Sequence, residues 1–265
     1  MKLSLSFFTR LVLLFLLFML GLILTGAMQF LVMRLTDNAV AATRITMVMQ
    51  DLLAFILPAV ITAMLITRLP ADFLQLRKGP GAWPMVLFAG GLIVGLPLIE
   101  WINALCEQLP WPQSVLDLEA AAESAAAAVI GPPTGANPLV AILIVGVLTG
   151  VAEELFFRGA LQRILATRPM SVHVAVWLTA VIFSLMHGQP VGFVARTLLG
   201  AWFGYAAALT GSLWTAVILH ALNNSLAVGA ELLNFDPSPS TITAAASAIA
   251  VAAVIVLLRR RLSRG

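Results

Sequence analysis

Residues 139–158 read LVAILIVGVLTGVAEELFFR, and this stretch decides the fold. Its first fourteen positions contain no charged residue, and it ends with Glu153, Glu154 and Arg158. A membrane-spanning helix needs about 20 mostly apolar residues, and this run with its continuation supplies them. Ionisable groups in such a segment are costly unless they face a cavity and a partner, so they indicate a functional site. The stretch therefore predicts a membrane helix that carries chemistry.

The composition also predicts a membrane protein. The chain is 61% hydrophobic and 10% charged, and its mean hydropathy is +1.02. A soluble domain carries about 25% charged residues, so a single soluble domain is excluded. The polar alternation of a transmembrane β-barrel is absent, and we predict an all-α fold, a polytopic membrane helix bundle. The basic residues form no stripe with aromatic residues, so we expect no nucleic-acid partner.

About eight segments are apolar and long enough to predict transmembrane helices. They are Leu11–Met33, Met47–Leu69, Trp83–Leu105, Leu139–Ala166, Ser171–His187, Phe193–Leu209, Leu213–Gly229 and Thr241–Leu258. The one long connection runs from Cys106 to Asn137, and its alanine-rich part, Ala120–Ala128, predicts a short outer helix.

The charges predict the orientation in the membrane. If both termini lie in the cytoplasm, only three of the fifteen basic residues fall on the outer side: Arg34, Arg44 and Arg196. The cations Arg158, Arg163 and Arg168 then fall in one cytoplasmic loop, as the positive-inside rule requires. We predict a multi-pass integral membrane protein with both termini cytoplasmic, in the plasma membrane if the source is bacterial.

Glu153, Glu154 and Arg158 form the first polar motif. Glu154 and Arg158 are four residues apart, so they share one helix face and can pair. Glu153 points about 100° away around the helix and is free for another role. Two adjacent carboxylates in a low dielectric cannot both stay charged cheaply; the arginine holds one ionised, and the other suits general base catalysis. The alternative is a structural Glu–Arg pair at a helix end.

Two histidines also sit at helical spacing from a partner: Phe183-x-x-x-His187 and His220-x-x-x-Asn224. If segments four and five form an antiparallel pair, counting from their turn places Glu153 and His187 at nearly the same level, so carboxylate and imidazole can meet. The alternative is that each histidine is a hydrogen-bonding packing residue between membrane helices.

Glycines recur four residues apart in three of the segments: Gly91/Gly95, Gly146/Gly150 and Gly200/Gly204. Such pairs let helix backbones approach closely in lipid. Gly146/Gly150 lies just before the glutamates, so close helix packing is of most interest at this pair. The alternative is that glycine is simply common in membrane helices.

The three polar motifs follow one another on successive apolar segments, and in this order they resemble the CPBP family of intramembrane proteases, the CAAX prenyl protease 2 and bacteriocin-processing type. The resemblance covers roughly Leu139 to Ala230. It implies hydrolysis of a peptide bond by an activated water in a membrane cavity. It divides the chain into N-terminal transmembrane helices with the outer loop (1–138), the catalytic helices (139–230), and a last transmembrane helix with a basic tail (231–265).

The resemblance also implies roles for the motif residues. Glu153 activates the water and His187 helps to position it. Glu154 and Arg158 form an orienting pair. His220 and Asn224 stabilise the tetrahedral oxyanion, as is common in acyl-transfer sites.

A zinc cofactor stays open. Glu153, His187 and His220 provide the two histidines and one carboxylate of a catalytic zinc set. The His-Glu-x-x-His helix of soluble zinc proteases is absent. A zinc enzyme and a glutamate-dependent enzyme are therefore both kept.

The implied partners are a protein or peptide substrate, which could be lipidated, and membrane lipid. Two other functions stay open: a non-proteolytic member of the family with a bacteriocin-immunity or scaffold role, and an ion-coupled transporter. The order of the motifs argues against the transporter, as does the lack of a visible internal repeat.

Overall fold

The computed structural model describes residues 5–167, 170–235, 238 and 240–262, and every regular element in these ranges is a helix. The ten helices are α1 (Phe7–Leu35), α2 (Ala39–Ile66), α3 (Pro70–Phe73), α4 (Ala82–Glu107), α5 (Gln113–Ile130), α6 (Asn137–Leu165), α7 (Val172–Met186), α8 (Phe193–Thr210), α9 (Leu213–Leu232) and α10 (Thr241–Leu262). The all-α prediction is confirmed for this part of the chain. Arg168, one of the predicted loop cations, lies outside the described residues.

Six of the described helices are long and apolar enough to cross a membrane: α1, α2, α4, α6, α9 and α10. The protein is therefore a polytopic helical membrane protein. The other two predicted segments correspond to α7 and α8. With 15 residues, α7 rises only about 22 Å, less than the hydrocarbon thickness of about 30 Å. The count of eight spans stays a prediction.

Contacts between connections bring several helix ends together on one side of the bundle. Arg163 Nε, near the end of α6, donates to Phe73 O at the end of α3 (3.2 Å). Lys78 Nζ donates to Thr210 O, the last residue of α8 (2.7 Å). Helix α3 therefore contacts the end of α6, and the connection between α3 and α4 contacts the end of α8.

On the opposite side of the bundle, Arg44 of α2 connects two helix ends. This residue is only 8% exposed. Its Nε donates to Val129 O (2.8 Å) and its Nη2 to Ile130 O (2.6 Å), the last carbonyls of α5. Its Nη1 donates to Asn137 Oδ1 at the start of α6 (3.0 Å). A cation at a helix C-terminus is favourable, so Arg44 fixes the end of α5 to the entry of α6.

The helix predicted for the long connection is confirmed, and α5 is longer than the alanine-rich stretch that predicted it. Glu119 Oε1 of α5 accepts from the backbone N–H of Val191, between α7 and α8 (2.8 Å). Helix α5 therefore lies against the α7–α8 connection.

Helix α6 is not regular along its length. Its central segment Thr149–Glu154 is α-helical, and wide π-type turns precede and follow it at Ile142–Leu148 and Leu155–Leu161. A further π-type turn lies in α2 at Asp51–Ile56. Such turns occur frequently at functional sites, and here they surround the two glutamates.

Candidate active site

Close packing of α6 on α9 builds the site. A Cβ on Gly150 would lie 3.1 Å from the backbone N of Ala221, and a Cβ on Gly146 would overlap the Ser225 side chain. At either position a Cβ would require its neighbour on α9 to shift. The expectation of close packing at Gly146/Gly150 is confirmed, and it brings the glutamates next to His220 on α9.

Glu154 is the centre of the polar cluster. Its Oε1 accepts from Arg158 Nη1 (2.6 Å) and lies 2.7 Å from His220 Nδ1. The Glu154 and Arg158 side chains are both 0% exposed. The predicted pairing of Glu154 with Arg158 is therefore confirmed, and the same oxygen also holds the imidazole ring.

Arg158 does not lie among the loop cations, where the charge pattern placed it. Its Nη2 donates to Gly200 O of α8 (2.8 Å), and its guanidinium lies 4.7 Å from the Phe183 ring centre. A cation inside the bundle is tolerated because a carboxylate, a carbonyl and an aromatic face surround it. Hydropathy alone could not show that this arginine turns inward.

Gly200 and Gly204 have a second role beyond close packing. Four residues after Arg158, Gln162 Nε2 donates to Gly204 O (3.0 Å), just as Arg158 donates to Gly200 O. A Cβ on Gly204 would come within 2.7 Å of Gln162 Oε1. Gln162 therefore helps to hold α6 against α8 beside the site. Its position one helical turn after Arg158 could have predicted this role from the sequence.

Glu153 is the more accessible of the two carboxylates, because its side chain is 13% exposed. Its Oε2 lies 3.6 Å from His220 Nε2, which is too long for a hydrogen bond. The imidazole thus has one nitrogen fixed by Glu154 and the other directed at Glu153. Phe203 stacks on the imidazole with ring centres 5.0 Å apart and further limits its motion.

His187 lies just beyond the last residue of α7. Its Nδ1 is 2.8 Å from Phe183 O, so this nitrogen carries the proton and Nε2 is the free one. Its ring packs edge-on against Phe183, which also contacts His220. No ion pair within 4.0 Å joins His187 to Glu153, although the two interact electrostatically. The expected direct contact between Glu153 and His187 is therefore not seen. His187 lies past the end of α7, and its ring bonds back to Phe183 in the last turn of that helix.

Asn224 lies one turn after His220, as predicted. Its Nδ2 donates to Val145 O of α6 (3.2 Å), so the side chain points toward the helix that bears the glutamates.

Asp51 of α2 is a carboxylate of the site that sequence reasoning missed. It is 1% exposed, its Oδ2 accepts from Thr149 Oγ1 (2.9 Å), and it interacts electrostatically with Glu153. Thr149 lies one turn before Glu153. The available signal was a lone acidic residue inside the second apolar segment.

The positions of the three candidate zinc ligands show whether they could bind one metal ion. Among the described residues, no three His, Cys, Asp or Glu side chains are placed to hold one metal ion. Glu153 Oε2 lies 3.6 Å from His220 Nε2, but no ion pair within 4.0 Å joins His187 to Glu153. In this arrangement the three residues do not form a catalytic zinc set, which needs three protein ligands around one point.

Residues 135–226 match the family model described as Rce1-like, type II CAAX prenyl endopeptidase Rce1-like. The matched range contains all six predicted site residues, and it is a CPBP domain of this type, as the order of the motifs predicted. A search of curated proteins finds no match, and a search of solved structures finds none either.

Proposed function

We propose that the chain, whose residues 135–226 form a domain of this family, is an intramembrane endopeptidase that hydrolyses a peptide bond with a water activated by Glu153 and His187. One observation carries the proposal: a partly accessible carboxylate, Glu153, faces His220, whose other nitrogen is fixed by the buried Glu154–Arg158 pair.

Glu153 acts as the general base. Since no hydrogen bond commits its Oε2 to His220, the carboxylate keeps its acceptor capacity for a water. As the water oxygen attacks the carbonyl carbon, Glu153 takes a proton from the water. It then returns the proton to the amine nitrogen that leaves when the C–N bond breaks.

His187 positions the water. Its Nδ1–H is held by Phe183 O, which leaves the lone pair of Nε2 to accept from the water. The electrostatic interaction of His187 with both Glu153 and His220 supports this role.

His220 and Asn224 stabilise the oxyanion. In its protonated form, His220 donates through Nδ1 to Glu154 and offers Nε2–H to the developing charge. Asn224 uses one amide N–H for Val145 O and has a second one to offer. Fixed donors of this kind are worth about 2.7–4 kcal/mol each in acyl-transfer enzymes.

The proposed substrate is a protein or peptide, including a lipidated one, that reaches the site from the membrane. We further propose eight crossings with both termini in the cytoplasm. In a bacterial source the protein then lies in the plasma membrane.

The test uses the purified protein in liposomes with a library of quenched fluorescent peptides. We expect cleavage by the wild type and none by Glu153→Gln or His187→Ala at unchanged melting temperature. Glu107→Gln, which alters an exposed carboxylate at the end of α4, is the matched control and should cleave normally. Cleavage by Glu153→Gln would overturn the assignment of the base. A folded wild type that cleaves nothing would favour the non-proteolytic or transport function.

A further inference from the structure

Asp51 of α2 is a buried carboxyl group that the proposed mechanism does not use. Its Oδ2 accepts from Thr149 Oγ1 on α6 (2.9 Å). The same hydroxyl lies 3.1 Å from Ile144 O, but the backbone N–H of Thr149 already donates to that carbonyl, so the hydroxyl hydrogen is available to Asp51. Among the described residues, no other hydrogen bond and no ion pair within 4.0 Å reaches the Asp51 side chain. Its polar contact is therefore directed at α6.

This contact lies on the helix face that carries Glu153. Thr149 and Glu153 are four residues apart in the regular segment Thr149–Glu154. In an α-helix this spacing places both side chains on one face, with a rise of about 6 Å between them. Asp51 therefore contacts α6 one turn before the proposed general base and on the same face.

The rotation of this regular segment is not set by a continuous α-helix. Wide turns precede it at Ile142–Leu148 and follow it at Leu155–Leu161. Each wide turn changes the direction in which the following residues face, so contacts at the two ends of the segment must fix it. The buried cluster around Glu154 holds the last residue, and Asp51 holds the first, Thr149.

Asp51 itself lies on a closely packed support. It begins the wide turn of α2, and a Cβ on Gly21 of α1 would overlap the carbonyl oxygen of Leu53 in this turn. Phe55 of the same turn packs edge-on against Phe156 of α6, with ring centres 5.6 Å apart. The wide turn of α2 therefore contacts α6 both at the start of the regular segment and just past its end.

We propose that Asp51 is a positioning residue: by accepting from Thr149, it sets the rotation of α6 that directs the Glu153 carboxylate toward the substrate. This inference rests on the proposed protease function, which makes Glu153 the general base. Asp51 acts through the Thr149 hydroxyl and contacts neither the water nor the peptide. The role requires a hydrogen-bond acceptor at residue 51 and not a charge, and an amide at this position separates the two properties.

The first measurement does not depend on activity. In a Cys106→Ser background, Glu153→Cys is treated with a thiol reagent in detergent, and the rate of modification reports how residue 153 faces its surroundings. Adding Asp51→Ala or Thr149→Val should change this rate severalfold. Adding Asp51→Asn or Thr149→Ser should leave it unchanged, since the first keeps the acceptor and the second keeps the donor. A rate that neither Asp51→Ala nor Thr149→Val changes would overturn the proposal.

The second measurement is cleavage of a peptide that the wild type hydrolyses. Asp51→Ala should lower kcat by about 100-fold, the effect of misplacing a reacting group by about 1 Å, and should leave KM unchanged. Asp51→Asn should keep most of the activity, because its amide oxygen still accepts from Thr149. If Asp51→Asn loses as much kcat as Asp51→Ala, the carboxyl group acts through its charge or its proton and the inference is wrong.

A double variant separates positioning from stability. Asp51→Leu combined with Thr149→Val removes both polar groups and should regain stability, whereas kcat should stay low because the contact that sets the rotation of α6 is gone. A kcat that returns together with stability would show that the contact only stabilises the bundle.

Thr25→Val is the matched control for Thr149→Val. Thr25 is a buried threonine of α1 whose hydroxyl donates to Gly21 O of its own helix, so this variant should cleave normally. If the wild type cleaves nothing while the thiol at residue 153 still responds to Asp51→Ala, the protease function fails and the positioning role stands.

Discussion

His220 Nδ1 lies 2.7 Å from Glu154 Oε1, and this contact joins α9 to α6 inside the bundle. The same oxygen accepts from Arg158 Nη1 at 2.6 Å. Because one carboxylate oxygen holds both groups, the orientation of the imidazole depends on Arg158. The buried Glu154–Arg158 pair thus helps to orient His220, which is the proposed oxyanion donor.

Removing Arg158 alone should be strongly destabilising. Arg158→Gln leaves Glu154 buried without its cation, and loss of one partner of a buried pair costs about 3–5 kcal/mol. Chemical denaturation in detergent measures this. The double variant Glu154→Gln with Arg158→Gln should be more stable than Arg158→Gln alone. Arg77→Gln, which alters an exposed pair with Asp72, should change stability little. Strictly additive losses would show that Glu154 and Arg158 do not interact.

The packing of Gly150 against Ala221 should control activity through distance. Gly150→Val places a side chain where the α9 backbone lies 3.1 Å away. Overpacking of this kind costs about 1–3 kcal/mol, and it moves His220 away from Glu154. The loss of peptide cleavage should therefore be larger than the lost stability alone would cause. Gly90→Val is the matched control, because a Cβ there meets nothing within 4 Å. Normal cleavage by Gly150→Val would show that the site tolerates a wider gap between α6 and α9.

Local spacing predicted the contacts that depend on a single helix. The Glu154–Arg158 pair needs only the i,i+4 spacing on one helix, and it forms although Arg158 lies within the second wide turn of α6. This pair was readable because no distant element has to be placed first. At Gly150 the sequence shows a small residue that permits a close approach, but not that the neighbour is Ala221 of α9.

Contacts between distant segments could not be predicted in the same way. A lone Asp51 in an apolar segment shows that a partner exists but not that it is Thr149, 98 residues away. The prediction that Glu153 and His187 lie at the same height along two helices assumed that both helices are regular. Instead, α6 contains wide turns and α7 ends before His187. Charge counting placed Arg158 in a loop because sequence does not show which way a side chain turns.

Activity should hold in the presence of a strong chelator. Glu153 lies 3.6 Å from His220 but makes no ion pair with His187 within 4.0 Å, and among the described residues no three such side chains are placed to hold one metal ion. Cleavage is measured with and without chelator, and the metal content of the purified protein is determined. About one zinc per chain, lost in both His187→Ala and His220→Ala, would contradict the expectation and assign the zinc mechanism.

Cys106 should react with a membrane-impermeant thiol reagent from outside the cell. It lies at the end of α4, on the side predicted to face outward, and it is the one cysteine of the chain. Labelling of intact cells is compared with labelling of opened membranes. In a Cys106→Ser background, Arg77→Cys should react only after the membrane is opened, since Arg77 is an exposed residue between α3 and α4. The reverse pattern would invert the proposed topology.

Breaking the Asp51–Thr149 contact should cost more than removing both polar groups. Thr149→Val leaves the buried carboxylate without the hydroxyl that lies 2.9 Å away, and an unsatisfied buried group costs about 1–3 kcal/mol. Asp51→Leu combined with Thr149→Val replaces both partners by apolar side chains and should recover much of that stability. Thr149→Ser keeps the hydroxyl and should remain close to wild type. Denaturation midpoints of the three variants decide between these outcomes. A double variant no more stable than Thr149→Val would mean that Asp51 has favourable interactions besides its contact with the threonine.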